Sequence, residues 1–408
     1  MQVLNHNPTG VEDAGSVLHR RLRPRRMKLA VFLLSLAVSA AAFLAFDVIY
    51  SSAIKRASQS LAQPNLCRVP DPVRHHALKP DCISSVRWGR ESYEFVTNSL
   101  GFRDEKVRQV PATDPRPRIL LLGDSFTEGQ LAWRDSFTGR IAARLPQVDV
   151  LNGGVSAYSP SNYLNVTRKL LADGFDIDEV VVFLDNTAAH YEAAFYHDRD
   201  DSGAVAGPKW EHRNLSWYGK FRFFISNHLY ATNDIFDFFE QQLVRLGCYH
   251  LTVSLSSVKP FDVEWAAWSY RKVNETDPFP AGYAPLGLQA GLDKQVAKMT
   301  LLWQELEKRN IPISVVVYPY PSQLVHDTVD SRQVRIWREW CEGKCKRFIT
   351  VYPAFFAARD ECPVLQPGCW YERLFLFGDV HYTDTGNTLV ADAVVKSLTE
   401  EPVVKRRP

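Results

Sequence analysis

The sequence predicts a three-layer α/β/α fold around a five-stranded parallel sheet. Two observations carry that expectation. Short, wholly apolar runs alternate with stretches of helical period, and such runs are strands covered on both faces. Each of the first two runs ends in glycine, at Gly123 and at Asn152-Gly153-Gly154, and is followed by a segment long enough for a crossover helix.

The elements follow in order. Arg118–Leu122 is the first strand, and residues 136–145 form a helix. Residues 148–151 make the second strand, 162–172 the next helix, and Glu179–Leu184 the third strand. The pattern breaks at about His190 and resumes near Leu288. There Leu288, Leu292, Val296, Met299, Trp303 and Leu306 recur at i+3/i+4, an amphipathic helix. Ile313–Val317 is the fourth strand and 348–351 the fifth. Residues 384–398 close the domain as a helix, with Thr383 or Asp384 as N-cap. Upstream, 51–115 is rich in Pro and polar residues. Within it residues 93–97 alternate like a strand and 98–101 read as a turn. The chain thus divides into a basic N-terminus (1–28), an apolar segment (29–50), a linker and small subdomain (51–115), an α/β domain (116–400) with an insertion (190–285), and a basic tail (401–408).

Of 408 residues, 46% are hydrophobic and 23% charged, which excludes wholesale disorder. The net charge of +2 gives no broad basic face, which argues against nucleic-acid binding. That near-neutrality is an average of unlike parts. Residues 1–28 hold Arg20, Arg21, Arg23, Arg25, Arg26 and Lys28 against Glu12 and Asp13, and the remainder carries a small acidic excess. The run 29–46 is uncharged, with Ser35 and Ser39 its only polar residues. As a helix it spans about 27 Å, close to the ~30 Å of bilayer hydrocarbon. It has no polar face, so it is a single-pass anchor rather than a core helix. The basic cluster stays in the cytoplasm, and the bulk of the chain lies in the periplasm or outside the cell. The rival is a cleaved signal peptide with Val38-Ser39-Ala40 at the cleavage site, but the long leader fits an uncleaved anchor better.

Seven cysteines are compatible with an oxidising compartment. Cys67 can pair with Cys82, Cys362 with Cys369, and Cys341 with Cys345 at a helix end, leaving Cys248. Free thiols throughout is the alternative. There is no CxxC and no HExxH, so neither a metal nor another cofactor is expected.

Two motifs carry chemistry. The first strand runs into Gly123-Asp124-Ser125-Phe126, which sets Ser125 at the carboxyl end of a parallel strand, where ligands bind in such sheets. Alone, Asp-Ser there is equally a helix N-cap. The second motif is Asp379-Val380-His381, just ahead of the last helix. A serine hydroxyl needs a base within hydrogen-bond reach, and a histidine oriented by a carboxylate supplies one.

These residues, with Gly154 after the second strand and a polar cluster after the third, resemble the SGNH/GDSL hydrolase superfamily over about 116–190 and 288–398. The resemblance implies a flavodoxin-like sheet, Ser125 as nucleophile, His381 as base and Asp379 as its orienting acid. It implies oxyanion donors from the Ser125 and Gly154 amides and from an Asn side chain. The family's Gly-x-Asn-Asp block is here Leu184-Asp185-Asn186-Thr187, so Asn186 fills that place, or Thr187 if the register shifts. The Asp-x-His spacing resembles membrane-associated members that handle O-acetyl groups on exported polysaccharides. The expected activity is a serine esterase acting on O-acyl, chiefly acetyl, esters of small molecules or glycans. An O-acetyltransferase using the same triad and a non-catalytic glycan-binding scaffold are the alternatives. The sequence names no protein partner.

The insertion holds 20 aromatics in 96 residues, against 12% overall. An aromatic platform for sugar rings, including Trp210, Trp217, Trp265 and Trp268, competes with simple core packing, and packing is favoured. Phe236, Phe238 and Phe239 beside Ile235 are expected in the core. His75, His76 and His190 are expected as loop polarity, and Arg103 as an ion-pair partner of Asp104. Asn165, Asn214 and Asn274 begin glycosylation-type sequons.

Overall fold

A computed structural model describes residues 14–59, 66–88, 91–199, 203–207, 221, 224–225, 228–249, 264–270 and 283–406. Trp210, Trp217, Asn214 and Asn274 lie outside them, as do the side chains of Trp265 and the arginines from Arg20 to Arg26.

Helix α1 (Ala14–Gln59) leads the chain. Its stretch Met27–Ala53 is long and apolar enough to cross a membrane, and none of its most apolar window is covered by the rest of the protein. Two antiparallel hairpins follow, β1 (Arg68–Asp71) with β2 (His75–Leu78), and β3 (Ile83–Trp88) with β4 (Glu91–Val96). The strand read at 93–97 is the second half of the latter hairpin. The turn at 98–101 closes by the Gly101 N–H donating to the Asn98 carbonyl over 2.9 Å.

The central sheet holds β5 (Arg118–Leu122), β6 (Asp149–Asn152), β7 (Glu179–Leu184), β10 (Ile313–Val317) and β11 (Cys345–Thr350). A small antiparallel pair, β8 (His197–Asp198) and β9 (Val205–Ala206), belongs to the insertion. The sheet is parallel throughout, in the order β11-β10-β7-β5-β6. β5, β6, β7 and β10 are wholly buried, which is why they are mostly apolar, with Arg118, Asp149, Asn152, Glu179 and Ser314 the buried polar exceptions. The first strand lies between the second and third, so the connections reverse beside β5. This is the flavodoxin-like arrangement, with its ligand crevice outside the carboxyl ends of the strands.

Four helices lead directly to or from the site: α2 (Ser125–Glu128), α3 (Phe137–Arg144), α4 (Pro160–Ala172) and α5 (Ala188–His190). In the insertion lies α6 (Tyr230–Arg245). Then come α7 (Leu288–Glu307), α8 (Pro321–His326), α9 (Arg332–Cys341), α10 (Tyr352–Asp360), α11 (Cys369–Leu374) and α12 (Asp384–Glu400). α3 packs on α12, and α4 on α7. Right-handed crossovers put these pairs on opposite faces of the sheet, giving three layers. Thr383 is the N-cap of α12, its hydroxyl accepting from the Gly386 N–H.

Three disulfides join Cys67–Cys82, Cys341–Cys345 and Cys362–Cys369, and Cys248 is free. The tail is not a loose appendage. Lys405 pairs with Asp176 and Asp178, and the Arg406 N–H donates to Asp178 over 2.7 Å. The expectation that Ile235, Phe238 and Phe239 lie in the core is wrong. They are 47%, 56% and 61% exposed, because α6 turns a different face to the domain. Trp268 is buried, as core packing requires.

Alkylating the unreduced, denatured protein should modify one thiol, at Cys248. Peptide mapping should recover the three linked pairs, and three or more reactive thiols would contradict this pairing.

Candidate active site

β5 delivers the chain to the turn at Gly123. Asp124 is the N-cap of α2, its carboxylate accepting from the Phe126 N–H over 3.0 Å, so Ser125 is the first helical residue. The other half of the site arrives 256 residues later. There the chain folds back on itself: the Leu376 N–H donates to the His381 carbonyl over 2.8 Å, and Phe375 bridges Tyr382. Within this hairpin Asp379 Oδ1 accepts from the Val380 N–H at 2.6 Å and lies 2.8 Å from His381 Nδ1. One carboxylate oxygen thereby fixes both the loop and the ring.

Ser125 Oγ lies 2.8 Å from His381 Nε2. An ionised Asp379 only accepts, so Nδ1 carries the ring proton and Nε2 is left to accept the serine proton. The Phe126 ring packs against the imidazole, centroids 4.6 Å apart, and His381 is 8% exposed. The three side chains expected from the sequence are therefore brought together.

The expected oxyanion donors are placed less simply. The Gly154 N–H donates to Asn152 Oδ1 over 3.0 Å, which commits it within its own loop. A Cβ on Gly154 would lie 2.6 Å from Thr127 Cβ, so glycine there lets the loop pack on α2. Neighbouring amides are also used: Gly153 to Leu121, Val155 to Gly123, Ser156 to Glu128 and Tyr158 to Val155. Ala157 is the exception, with no partner for its N–H among the described residues. It sits at φ 65, a left-handed conformation uncommon outside glycine. An alanine in sequence gives no sign of this, and sequence reading missed it.

Thr187 is excluded as the third donor, because its N–H and hydroxyl both donate to Asp185. Asn186 is fully buried. Its main-chain carbonyl accepts from the indole N–H of Trp268 at 2.9 Å, and its Nδ2 lies 3.5 Å from Ser269 Oγ. Residues of the insertion thus hold the Asn186 loop.

Behind Ser125 is a buried acid pair. Tyr318 donates to Asp124 over 3.0 Å and Tyr320 to Asp185 over 2.7 Å. Burial, and then the charge of Asp185, push the Asp124 carboxyl well above the usual carboxylate range.

Three residues are corrected. Arg103 does not pair with Asp104, which instead binds Arg108 and Asn98. The Arg103 guanidinium is buried and donates to the carbonyls of Glu128, Gly129 and Leu131, closing the end of α2, with the Phe95 ring 5.0 Å away. His76 is no loose polar group. Its Nε2 lies 2.8 Å from the Ser156 carbonyl, and burial lowers its pKa to about 4, so it is neutral at pH 7. His190 packs edge-on against Phe195 and Tyr283. Glu128, buried, pairs with Arg68 and accepts from the Ser156 N–H over 2.6 Å, tying α2 to the Ala157 loop.

No protein-family profile matches the chain, and no curated protein does. Among solved structures the chain is similar to a member of the lipolytic G-D-S-L family from Veillonella parvula. Identity is 12%, covering 69% of this chain and 98% of that one, with a TM-score of 0.33. It is also similar to a GDSL-like lipase from Bacteroides thetaiotaomicron, at 10% identity, 69% and 88% coverage and a TM-score of 0.32. A third is an alpha/beta hydrolase enzyme from the metagenome of Lake Arreo, Spain, at 11% identity, 71% and 97% coverage and a TM-score of 0.33. At these values no residue role is carried across.

The elevated Asp124 pKa has a consequence for stability. The fold favours the protonated carboxyl, so this contribution is complete below the unfolded value near 3.8 and is lost as pH rises through the native value. Asp124→Asn keeps the cap and cannot ionise. Its unfolding free energy should therefore fall less than that of the wild type as pH is raised, measured by urea denaturation across a pH series. Parallel pH profiles would contradict the shift.

Proposed function

We propose that the protein is a serine esterase of the SGNH/GDSL type that cleaves O-acyl esters, chiefly acetyl and carried by a glycan, outside the cytoplasmic membrane. The single observation supporting this is the relay from Asp379 through His381 to Ser125, two hydrogen bonds of 2.8 Å.

Ser125 Oγ attacks the ester carbonyl as His381 Nε2 takes its proton. The tetrahedral oxyanion is held by main-chain N–H groups at Ser125 and Ala157 and by the Asn186 side chain. Each such donor typically contributes about 3–4 kcal/mol in the transition state. Asp379 stays ionised and stabilises the imidazolium. As the C–O bond breaks, His381 returns the proton to the leaving alkoxide and the acyl group remains on Ser125. Water, deprotonated by His381, then releases the carboxylic acid. Gly154 supports this loop by packing rather than by donating. A sugar hydroxyl in place of water would complete the same cycle as a transferase.

The N-terminus is assigned to the cytoplasm and the α/β domain to the far side. The basic cluster before the apolar stretch supports that orientation, and the disulfides agree with an oxidising compartment.

Ser125→Ala should lower turnover of an aryl acetate by up to roughly six orders of magnitude with the thermal transition unchanged. A fluorophosphonate should label the wild type at Ser125 and leave the variant unlabelled. Undiminished turnover in the variant would overturn the assignment. Free acetate as the product from an acetylated oligosaccharide identifies the hydrolase, and acetate moved onto an added glycan identifies the transferase.

A further inference from the structure

Helix α6 is amphipathic with its polarity reversed. Glu240 and Val244 face the domain and are buried, whereas Ile235, Phe238, Phe239 and Leu246 are 47%, 56%, 61% and 61% exposed. At 100° per residue those four side chains form one stripe opposite Glu240 and Val244, and the residue within the stripe, Gln242, is uncharged. A helix bordering water turns its apolar stripe inward. This one turns it outward, and a contiguous patch of two phenylalanines and two aliphatic residues marks a surface covered by something apolar.

The ends of α6 say what that is. Its N-terminus is capped by the membrane helix: Asp47 accepts from the Ala231 and Thr232 N–H groups at 2.9 and 2.7 Å, and Ser51 Oγ from the Tyr230 N–H at 2.6 Å. First-turn amides have no partner inside their own helix, so α1 supplies the cap from outside. Asp47 is the first charged residue after the uncharged run 29–46, and therefore marks the level at which the hydrocarbon of a bilayer would end. α6 starts at that level with its apolar stripe exposed. Its far end is locked to the catalytic hairpin. Arg245 pairs with Glu372 at 2.9 Å. Gly368 donates to the Arg245 carbonyl over 3.1 Å, and a Cβ there would lie 1.6 Å from the Val244 carbonyl oxygen. Tyr371 in turn donates to the Asp379 carbonyl over 2.8 Å.

We propose that α6 lies in the bilayer interface, with Ile235, Phe238, Phe239 and Leu246 against the lipid acyl chains. The partner of this face is lipid, continuous with the lipid around α1. Basic residues with reach to headgroups are a common addition in such helices, but here the anchor α1 supplies the attachment and α6 supplies orientation. The pair holds the Ser125–His381 site at a fixed height above the membrane, which suits an ester carried by a membrane-proximal glycan or lipid-linked saccharide. This rests on α1 crossing a membrane and is independent of the catalytic roles.

The test uses the full chain in liposomes containing a phospholipid with a diazirine in its acyl chain, irradiated and mapped by peptide mass spectrometry. Adducts should appear on peptides spanning 29–46 and 235–246, with none on α12. The triple variant Ile235→Ser, Phe238→Ser, Phe239→Ser should lose the α6 adducts and keep both the α1 adducts and wild-type turnover of a soluble aryl acetate. Adducts on α1 without adducts on α6 overturn the proposal. A dimer that dissociates in the triple variant would then assign the stripe to a second copy of the chain. Absence of adducts from α1 overturns the membrane-spanning assignment itself, and this proposal with it.

Discussion

The hydrogen bond from Ser125 to His381 Nε2 joins two points 256 residues apart in the chain. Neither partner has chemistry alone: the hydroxyl lacks a base, and the imidazole lacks a task. What brings them to 2.8 Å is the parallel sheet. β5 ends at the serine, α3 and α12 pack together on one face, and the hairpin before α12 carries Asp379 and His381 over the strand ends. The sheet thus acts as the ruler for the site. Four of its strands, β5, β6, β7 and β10, are wholly buried, so their register is fixed by packing, and the loops at their carboxyl ends inherit that precision.

The surroundings of the nucleophile show how much polar structure this requires. Asp124 and Asp185 are buried side by side with two tyrosine hydroxyls, and that burial pushes the Asp124 carboxyl well above the usual carboxylate range. Arg103 is buried among carbonyls at the end of α2, with no carboxylate among its hydrogen-bond partners in the described residues. Such groups are costly to desolvate and add little net stability. Their directionality, however, locates a four-residue helix that has too few backbone bonds to locate itself. Glu128, Arg68 and His76 extend the same scaffold to the loop carrying Ala157.

A second constraint acts on the whole domain. Asp47 and Ser51 of α1 cap α6, and α6 braces α11, so the long apolar helix and the hairpin carrying Asp379 and His381 are mechanically connected. A flexible linker after α1 would leave the domain free to tumble relative to it. Here a helix cap and an ion pair restrict that motion, and α6 leaves an apolar stripe exposed.

The fold class was legible because a strand buried on both faces has no choice but to be an apolar run, and a crossover helix must repeat at 3.6 residues. Hence β5, β7 and β10 fell on their predicted residues, and the other boundaries shifted by a few. The triad was legible because its chemistry restricts each position to one or two residue types. The cysteine spacing allowed the three short-range pairs and equally allowed free thiols; only the structure joined Cys67 to Cys82, Cys341 to Cys345 and Cys362 to Cys369. What sequence did not determine were properties of position rather than of residue type. Ala157 adopts a left-handed φ that its side chain does not encode. Gly154 lost its donor to Asn152, and Arg103 reached past Asp104 to three carbonyls, because partners are set by which loops meet. Phe238 and Phe239 have the composition of a core but lie outside one. Only the packing of α6 on α11 and its cap on α1 decided which of its faces turned outward.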